Sequence, residues 1–172
     1  MILEGTDGAG KSTLSDAILK TIRDRFPEDD VEYIHSSQLE NDPIDEYALE
    51  FEAYEPGKGQ HFVVDRLHWG ETIYGPLYRN ESALSVAAFR WVEMYLKARG
   101  ATTWHVTADL EVIENRLRIR GEDYLQTHDV PHVWNAFSDV ASKALTTGGT
   151  ARTDQFTVWD WADQIINDAE YN

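Results

Sequence analysis

The sequence predicts an α/β fold: a five-stranded parallel sheet covered by helices on both faces. Three observations carry that prediction. Short apolar runs alternate with longer stretches of helical periodicity along almost the whole chain, the pattern of a parallel sheet buried on both sides. A glycine-rich turn joins the first apolar run to the first helical pattern. The 172 residues suffice for one core and not two, so the elements are assigned to a single domain over 1–172.

Taken in order, residues 1–4 form an apolar stub that enters the glycine-rich turn. Over 11–26, Leu14, Ala17, Ile18, Ile22 and Phe26 recur at helical spacing, and Pro27-Glu28-Asp29-Asp30 ends the helix. Residues 31–35 alternate as a strand. Residues 42–54 read as a helix, with Pro43 early and Ile44, Tyr47, Ala48 and Phe51 on one face. Pro56-Gly57-Lys58-Gly59 is a turn into a β-branched strand over 61–65 that ends in Asp65. A long helix covers 82–99, with Gly100 at its C-terminal glycine position. A strand follows over 102–107, and Asp109 is the expected N-cap of a helix running to about Arg120. A helix over 130–145, a last strand over 155–159 and a C-terminal helix capped by Asp160 complete the reading.

Charge narrows the function. Lys and Arg number 15 against 31 Asp and Glu, for a net charge of −16. Stable nucleic-acid binding needs a basic footprint, which this balance excludes. A small phosphorylated ligand needs only a local cluster of cations. With no cysteine there is no disulfide, thiolate metal site or cysteine nucleophile. No apolar run approaches a membrane span and no signal peptide is visible, so a soluble, cytoplasmic protein with no membrane partner is expected.

Gly5-Thr6-Asp7-Gly8-Ala9-Gly10-Lys11-Ser12 matches G-x-x-x-x-G-K-[ST] at a strand–helix junction. Gly8 and Gly10 permit the backbone turns that point several N–H groups inward. The helix N-terminus adds positive potential at bound phosphates. Lys11 reaches toward the β- and γ-phosphates, and the Ser12 hydroxyl suits Mg²⁺. Asp7, Gly8, Ala9, Gly10, Lys11, Ser12 and Thr13 are therefore the candidate contacts for a nucleoside triphosphate. The guanine-reading N-K-x-D pattern is absent, which makes ATP the expected donor.

Other candidates follow from position. Asp65 ends a strand at the edge where open α/β sheets bind ligands, and suits a metal or a ligand hydroxyl. Arg66 offers a guanidinium fork to a phosphate, the reading favoured over a structural Asp–Arg pair because it lies beyond a P-loop sheet. Arg116, Arg118 and Arg120 have the spacing R-x-R-x-R, which puts 116 and 120 on one helix face and 118 opposite. Trp69 and Tyr78 could stack a nucleobase or lie in a core, Arg79 could take a phosphate or carbonyl, and Arg90 interrupts an apolar helix. His128 and His132 have metal-like spacing, but no third ligand is evident.

The run Leu3-Glu4-Gly5-Thr6-Asp7-Gly8-Ala9-Gly10-Lys11-Ser12-Thr13 resembles the thymidylate kinase family of nucleoside monophosphate kinases. Asp65-Arg66 resembles that family's D-R motif, and the segment from Arg116 to Leu125 resembles its arginine-bearing lid, at about 116–130. Residues 65–79 are similar to thymidylate-kinase-like enzymes of viruses. Leu67 stands where the family has an aromatic, and His35-Ser36-Ser37-Gln38-Leu39-Glu40 where cellular members have Arg-Glu-Pro.

The resemblance implies a three-layer P-loop kinase fold and a phage or viral nucleotide-supply enzyme. It would use ATP and Mg²⁺ to phosphorylate a deoxynucleoside monophosphate, dTMP foremost, and would be a homodimer. Lys11, Asp65, Arg66, Arg116 and Arg120 would be catalytic, and Asp7, Arg66, Trp69, Tyr78, Arg79 and Arg90 would bind the acceptor. Three alternatives stand beside it: a deoxynucleoside kinase with Glu40 as base, a kinase of a modified base in DNA, and a nucleotide-binding module without turnover.

Overall fold

Five parallel strands in the order β2-β3-β1-β4-β5 form the centre of the molecule. They are β1 (Ile2–Glu4), β2 (Asp30–His35), β3 (Gln60–Asp65), β4 (Thr103–Thr107) and β5 (Thr147–Arg152). The helices are α1 (Lys11–Arg25), α2 (Trp69–Arg79), α3 (Val86–Ala98), α4 (Leu110–Arg120), α5 (Val130–Ala141) and α6 (Val158–Glu170). The computed structural model describes residues 1–36, 46–47, 59–121, 125–126 and 128–170. Of the helix expected over 42–54, only Glu46 and Tyr47 lie within the described residues, and both are helical.

Period-two alternation sets the layers. Leu3 and Val63 belong to a buried cluster with Leu14, Ile18 and Ile22 of α1 and Ile165 of α6. Ile2 and Val64, one residue away on the same strands, join Val92 and Leu96 of α3 in a second cluster. Both faces of the sheet are thus covered by helices, as expected of a parallel sheet. Because all strands run one way, Glu4, His35, Asp65, Thr107 and Arg152 end on the same edge. The register pairs His35 with Asp65. The strand order reverses around β1, and open α/β sheets bind ligands at such a point.

Two expected boundaries are corrected. The last strand is Thr147–Arg152, not 155–159. This strand reads TGGTAR, with no apolar run to announce it. Its glycines make room for the indole of Trp104: a Cβ at Gly149 would lie 2.6 Å from that ring. Residues 155–157 instead lead into α6, where Thr157 is the residue before the first turn and Asp160 reaches back to it. The Thr157 amide donates to Asp160 Oδ2 at 3.2 Å, and the Asp160 amide donates to Thr157 Oγ1 at 3.2 Å. This reciprocal pair is a capping box, so Asp160 works from the third helical position.

The second correction is at the start of the long helix. It begins at Val86 rather than 82, with Ser85 accepting from the Ala88 amide at 3.1 Å. Asp109 stands at the N-cap of α4 as expected, but its side chain bonds Arg152 in place of a helix amide. Among the described residues no helix is long and apolar enough to cross a membrane.

Candidate active site

The turn between β1 and α1 is shaped by sterics at two glycines. A Cβ at Gly5 would fall 2.0 Å from the carbonyl oxygen of Val106, so only glycine lets β1 leave the sheet there. Gly10 precedes α1 with φ 95°, a left-handed conformation that costs glycine little. Between them the loop wraps onto the N-terminus of α1, where unpaired helix amides and the helix dipole favour anions. Ala9 is fully buried under the loop and contributes backbone only.

Lys11 is buried; its ammonium donates to the carbonyls of Gly5 at 2.8 Å and Thr6 at 3.1 Å, and lies 3.8 Å from Asp7. Burial, reinforced by the nearby positive charge of Arg66, lowers its pKa. Ser12 and Thr13 expose their side chains at the start of α1. Ser12 Oγ donates to Asp65 Oδ2 at 3.2 Å, joining the loop to the end of β3. Asp65 is 1% exposed, and its Oδ1 has no hydrogen-bond partner. A buried, unpartnered carboxylate oxygen beside an accessible hydroxyl is an oxygen donor set that fits Mg²⁺. Tyr33 also donates to Asp65 Oδ2, at 3.2 Å, and burial together with that carboxylate pushes the phenol pKa up to about 12.

Arg66 follows with φ 68°, a left-handed conformation unusual outside glycine. It is held there from two sides. Its guanidinium pairs with Asp7 across the loop. Behind it, the buried carboxyl of Glu4 accepts the amides of Leu67 at 3.0 Å and Trp69 at 2.8 Å. Burial alone would lower the Arg66 pKa; the Asp7 carboxylate overrides this and raises it, so the cation is permanent. Burial raises the pKa of Glu4, against the opposing charge of His68.

A cavity of about 770 Å³ collects these groups. Asp7, Gly8, Gly10, Lys11, Ser12 and Thr13 form one wall. His35, Asp65 and Arg66 form the second, and Arg116, Arg120, Gly121 and Val158 the third. Four of the seven cations singled out in the sequence, Lys11, Arg66, Arg116 and Arg120, therefore meet in one place in an acidic protein. Arg118 points away, exposed, with Nη1 3.4 Å from Asn115 Oδ1. Arg116 is not extended into open space. Its Nη1 reaches the Gly8 carbonyl at 3.2 Å and Thr153 Oγ1 at 2.9 Å.

Of the six residues expected on the acceptor side, Asp7 and Arg66 line this cavity; Trp69, Tyr78, Arg79 and Arg90 do not. Trp69 is fully buried, with its indole N–H on Glu93 at 3.0 Å, so its ring belongs to the core. Tyr78 stacks on Tyr74 with ring centroids 6.2 Å apart. Arg79 pairs with the buried Glu71. Arg90 is exposed on α3, on the helix face turned from the core. Glu40 lies outside the described residues. No group of three or more His, Cys, Asp or Glu suited to a metal occurs among the described residues, and His128 is an exposed side chain beside Asp129.

Sequence reasoning missed His35, Tyr33 and Thr153. The first two were within reach, because parallel pairing of the strands ending at 35 and 65 places His35 beside Asp65. Thr153 follows a strand with no apolar signature and had no signal.

No protein-family model matches the chain. It is 25% identical over 166 residues to the SPbeta prophage-derived uncharacterized protein YorR of Bacillus subtilis (strain 168), covering 96% of each. It also matches the crystal structure of YorR from Bacillus subtilis in complex with phosphorylated GDP. The TM-score is 0.77 at 24% identity, over 98% of this chain and 94% of that one. The chain thus shares with a prophage-derived protein a three-layer α/β fold of P-loop kinase type, built on a five-stranded parallel sheet.

Proposed function

We propose that the chain is an ATP- and Mg²⁺-dependent nucleoside monophosphate kinase. One domain, with a lid at about 116–130, would transfer the γ-phosphoryl of ATP to the 5′-phosphate of a deoxynucleoside monophosphate. One observation carries the reading: the phosphate loop, Lys11, the Ser12–Asp65 pair and Arg66 line one cavity whose remaining wall holds Arg116 and Arg120.

The chemistry asks for little more. An acceptor phosphate oxygen is already ionised near neutral pH, so no strong base is required. That oxygen bonds to the γ-phosphorus while the bond to the β–γ bridging oxygen breaks, and ADP leaves with the electron pair. Negative charge spreads over the transferred group, and fixed donors and cations stabilise it. Loop amides and Lys11 hold the donor phosphates. Arg66, fixed by Asp7, suits the acceptor phosphate, and Arg120 the transferred group. Ser12 and Asp65 would hold Mg²⁺, which neutralises charge on the β- and γ-phosphates.

The loop resemblance puts dTMP first among acceptors. The guanine nucleotide held by YorR supports dGMP as the second. Incubation with ATP, Mg²⁺ and each deoxynucleoside or its monophosphate, one at a time, tests the reading. A diphosphate product from one or two monophosphates is expected. Consumption of nucleosides with monophosphates left intact would replace it with a deoxynucleoside kinase.

A further inference from the structure

Thr153 lies in the turn between β5 and α6, and contacts from the phosphate loop, α4 and β4 meet on it. Its hydroxyl donates to the Ala9 carbonyl in the phosphate loop at 2.7 Å and accepts from Arg116 Nη1 at 2.9 Å. Its carbonyl accepts from Arg116 Nη2 at 3.4 Å. Its amide donates to the Thr107 carbonyl at the end of β4, at 2.9 Å. Side chain and backbone thus tie together β4, α4 and the loop.

The neighbours of Thr153 hold the turn in place. Arg152 Nη2 bonds Asp109 at 2.5 Å and Asp154 at 2.9 Å. Asp154 Oδ2 accepts the Asp109 amide at 2.8 Å. Asp109 is the N-cap residue of α4, the helix that carries Arg116. The fit to the loop is close: a Cβ at Gly10 would meet Thr153 Cγ2 and Oγ1 at 3.3 Å.

A loop that turns its amides toward a phosphate turns carbonyls the other way. Those carbonyls need donors, because a polar backbone group left unpaired inside a protein is expensive. Arg116 and Thr153 are those donors for Gly8 and Ala9. Arg116 therefore supports the loop from behind as well as lining the cavity. The shortest of its hydrogen bonds there is to the hydroxyl of Thr153, at 2.9 Å.

We propose that Thr153 is a positioning residue for the nucleotide donor. Its hydroxyl fixes Arg116 and the outward carbonyls of the phosphate loop, so the inward amides are set before ATP binds. Binding then costs less ordering of the loop. The inference rests on the kinase reading above and adds the residue that prearranges its donor site.

Calorimetric titration with ATP tests it without turnover, on the wild type, Thr153→Val, Thr153→Ser and, as a control, Lys11→Ala. Valine keeps the shape and removes the hydroxyl. The expected result is a rise of about tenfold in Kd for ATP in Thr153→Val, equivalent to about 1.4 kcal/mol. Thr153→Ser stays within about twofold of wild type, and Thr153→Val keeps the wild-type acceptor KM. Wild-type affinity in Thr153→Val overturns the inference. So does a serine variant as weak as the valine one, because keeping the hydroxyl would then not keep the affinity. If the wild type binds no ATP, or Lys11→Ala binds it equally well, the kinase reading itself falls and takes the inference with it.

Discussion

Replacing Glu93 by Gln tests the network that holds the segment behind Arg66. Glu93 lies on α3 and is 1% exposed. Its Oε1 accepts from His68 Nε2 at 2.5 Å, Trp69 Nε1 at 3.0 Å and Thr146 Oγ1 at 3.1 Å. Its Oε2 accepts the amides of Leu145 at 2.5 Å and Thr146 at 2.8 Å. A glutamine offers one acceptor oxygen in place of two. Whichever way it turns, at least two donors face an NH₂ group. Each buried donor left unpaired costs about 1–3 kcal/mol, so two cost about 2–6 kcal/mol. That is a large part of the roughly 5–15 kcal/mol that stabilises a domain. Urea unfolding should show a lowered midpoint at an unchanged slope. Stability within about 0.5 kcal/mol of wild type, the range of an ordinary surface change, would refute the reasoning.

Acid exposes the same network. Burial alone would raise the Glu93 pKa, but the hydrogen bond and charge of His68, with the Trp69 and Thr146 donors, lower it to about 2 from 4.5. A group with a depressed folded pKa stabilises fully above its unfolded pKa. That contribution is lost as pH falls toward the folded value. Wild-type stability should therefore fall between about pH 4.5 and pH 2, and Glu93→Gln should lack this part of the fall. Identical acid profiles would contradict the assignment.

Three further outcomes are expected. Ser12→Ala and Asp65→Asn should each raise the Mg²⁺ concentration for half-maximal turnover by at least about tenfold; an unchanged magnesium titration in both would remove the metal assignment. Arg120→Ala should lower kcat by about a hundredfold, as loss of a charge-stabilising donor does, with Arg118→Ala within about twofold of wild type; equal losses at the two positions would show that cavity lining does not discriminate them. Gly5→Ala places a methyl 2.0 Å from the Val106 carbonyl oxygen and should cost about 3 kcal/mol, so a thermal midpoint equal to wild type would show that β1 leaves the sheet differently.

Much of this was legible in the sequence where spacing and backbone geometry coincide. Residues 5–12 combine small residues, a lysine and a hydroxyl in an order that suits a strand–turn–helix around phosphate, and the fold supplies that context. Asp65 was readable because a β-branched run ending in a carboxylate is a strand with its ligand edge marked. β5 was not, because a strand whose glycines accommodate Trp104 carries no apolar period. The aromatic segment after Arg66 misled for a different reason. Its helical spacing did not show which face is buried, and Glu93, a carboxylate from another helix, draws Trp69 inward. Arg116 was found, but its target was not: the loop carbonyls and Thr153 are distant in sequence, and only the fold brings them together.

The most direct test of the central claim is ³¹P-detected transfer from ATP to a deoxynucleoside monophosphate by the wild type and by Lys11→Ala, with Mg²⁺ present. The account predicts ADP and deoxynucleoside diphosphate in equal amounts from the wild type, and a rate at least about a hundredfold lower from the variant. No transfer to any monophosphate by the wild type, or undiminished transfer by Lys11→Ala, would contradict it.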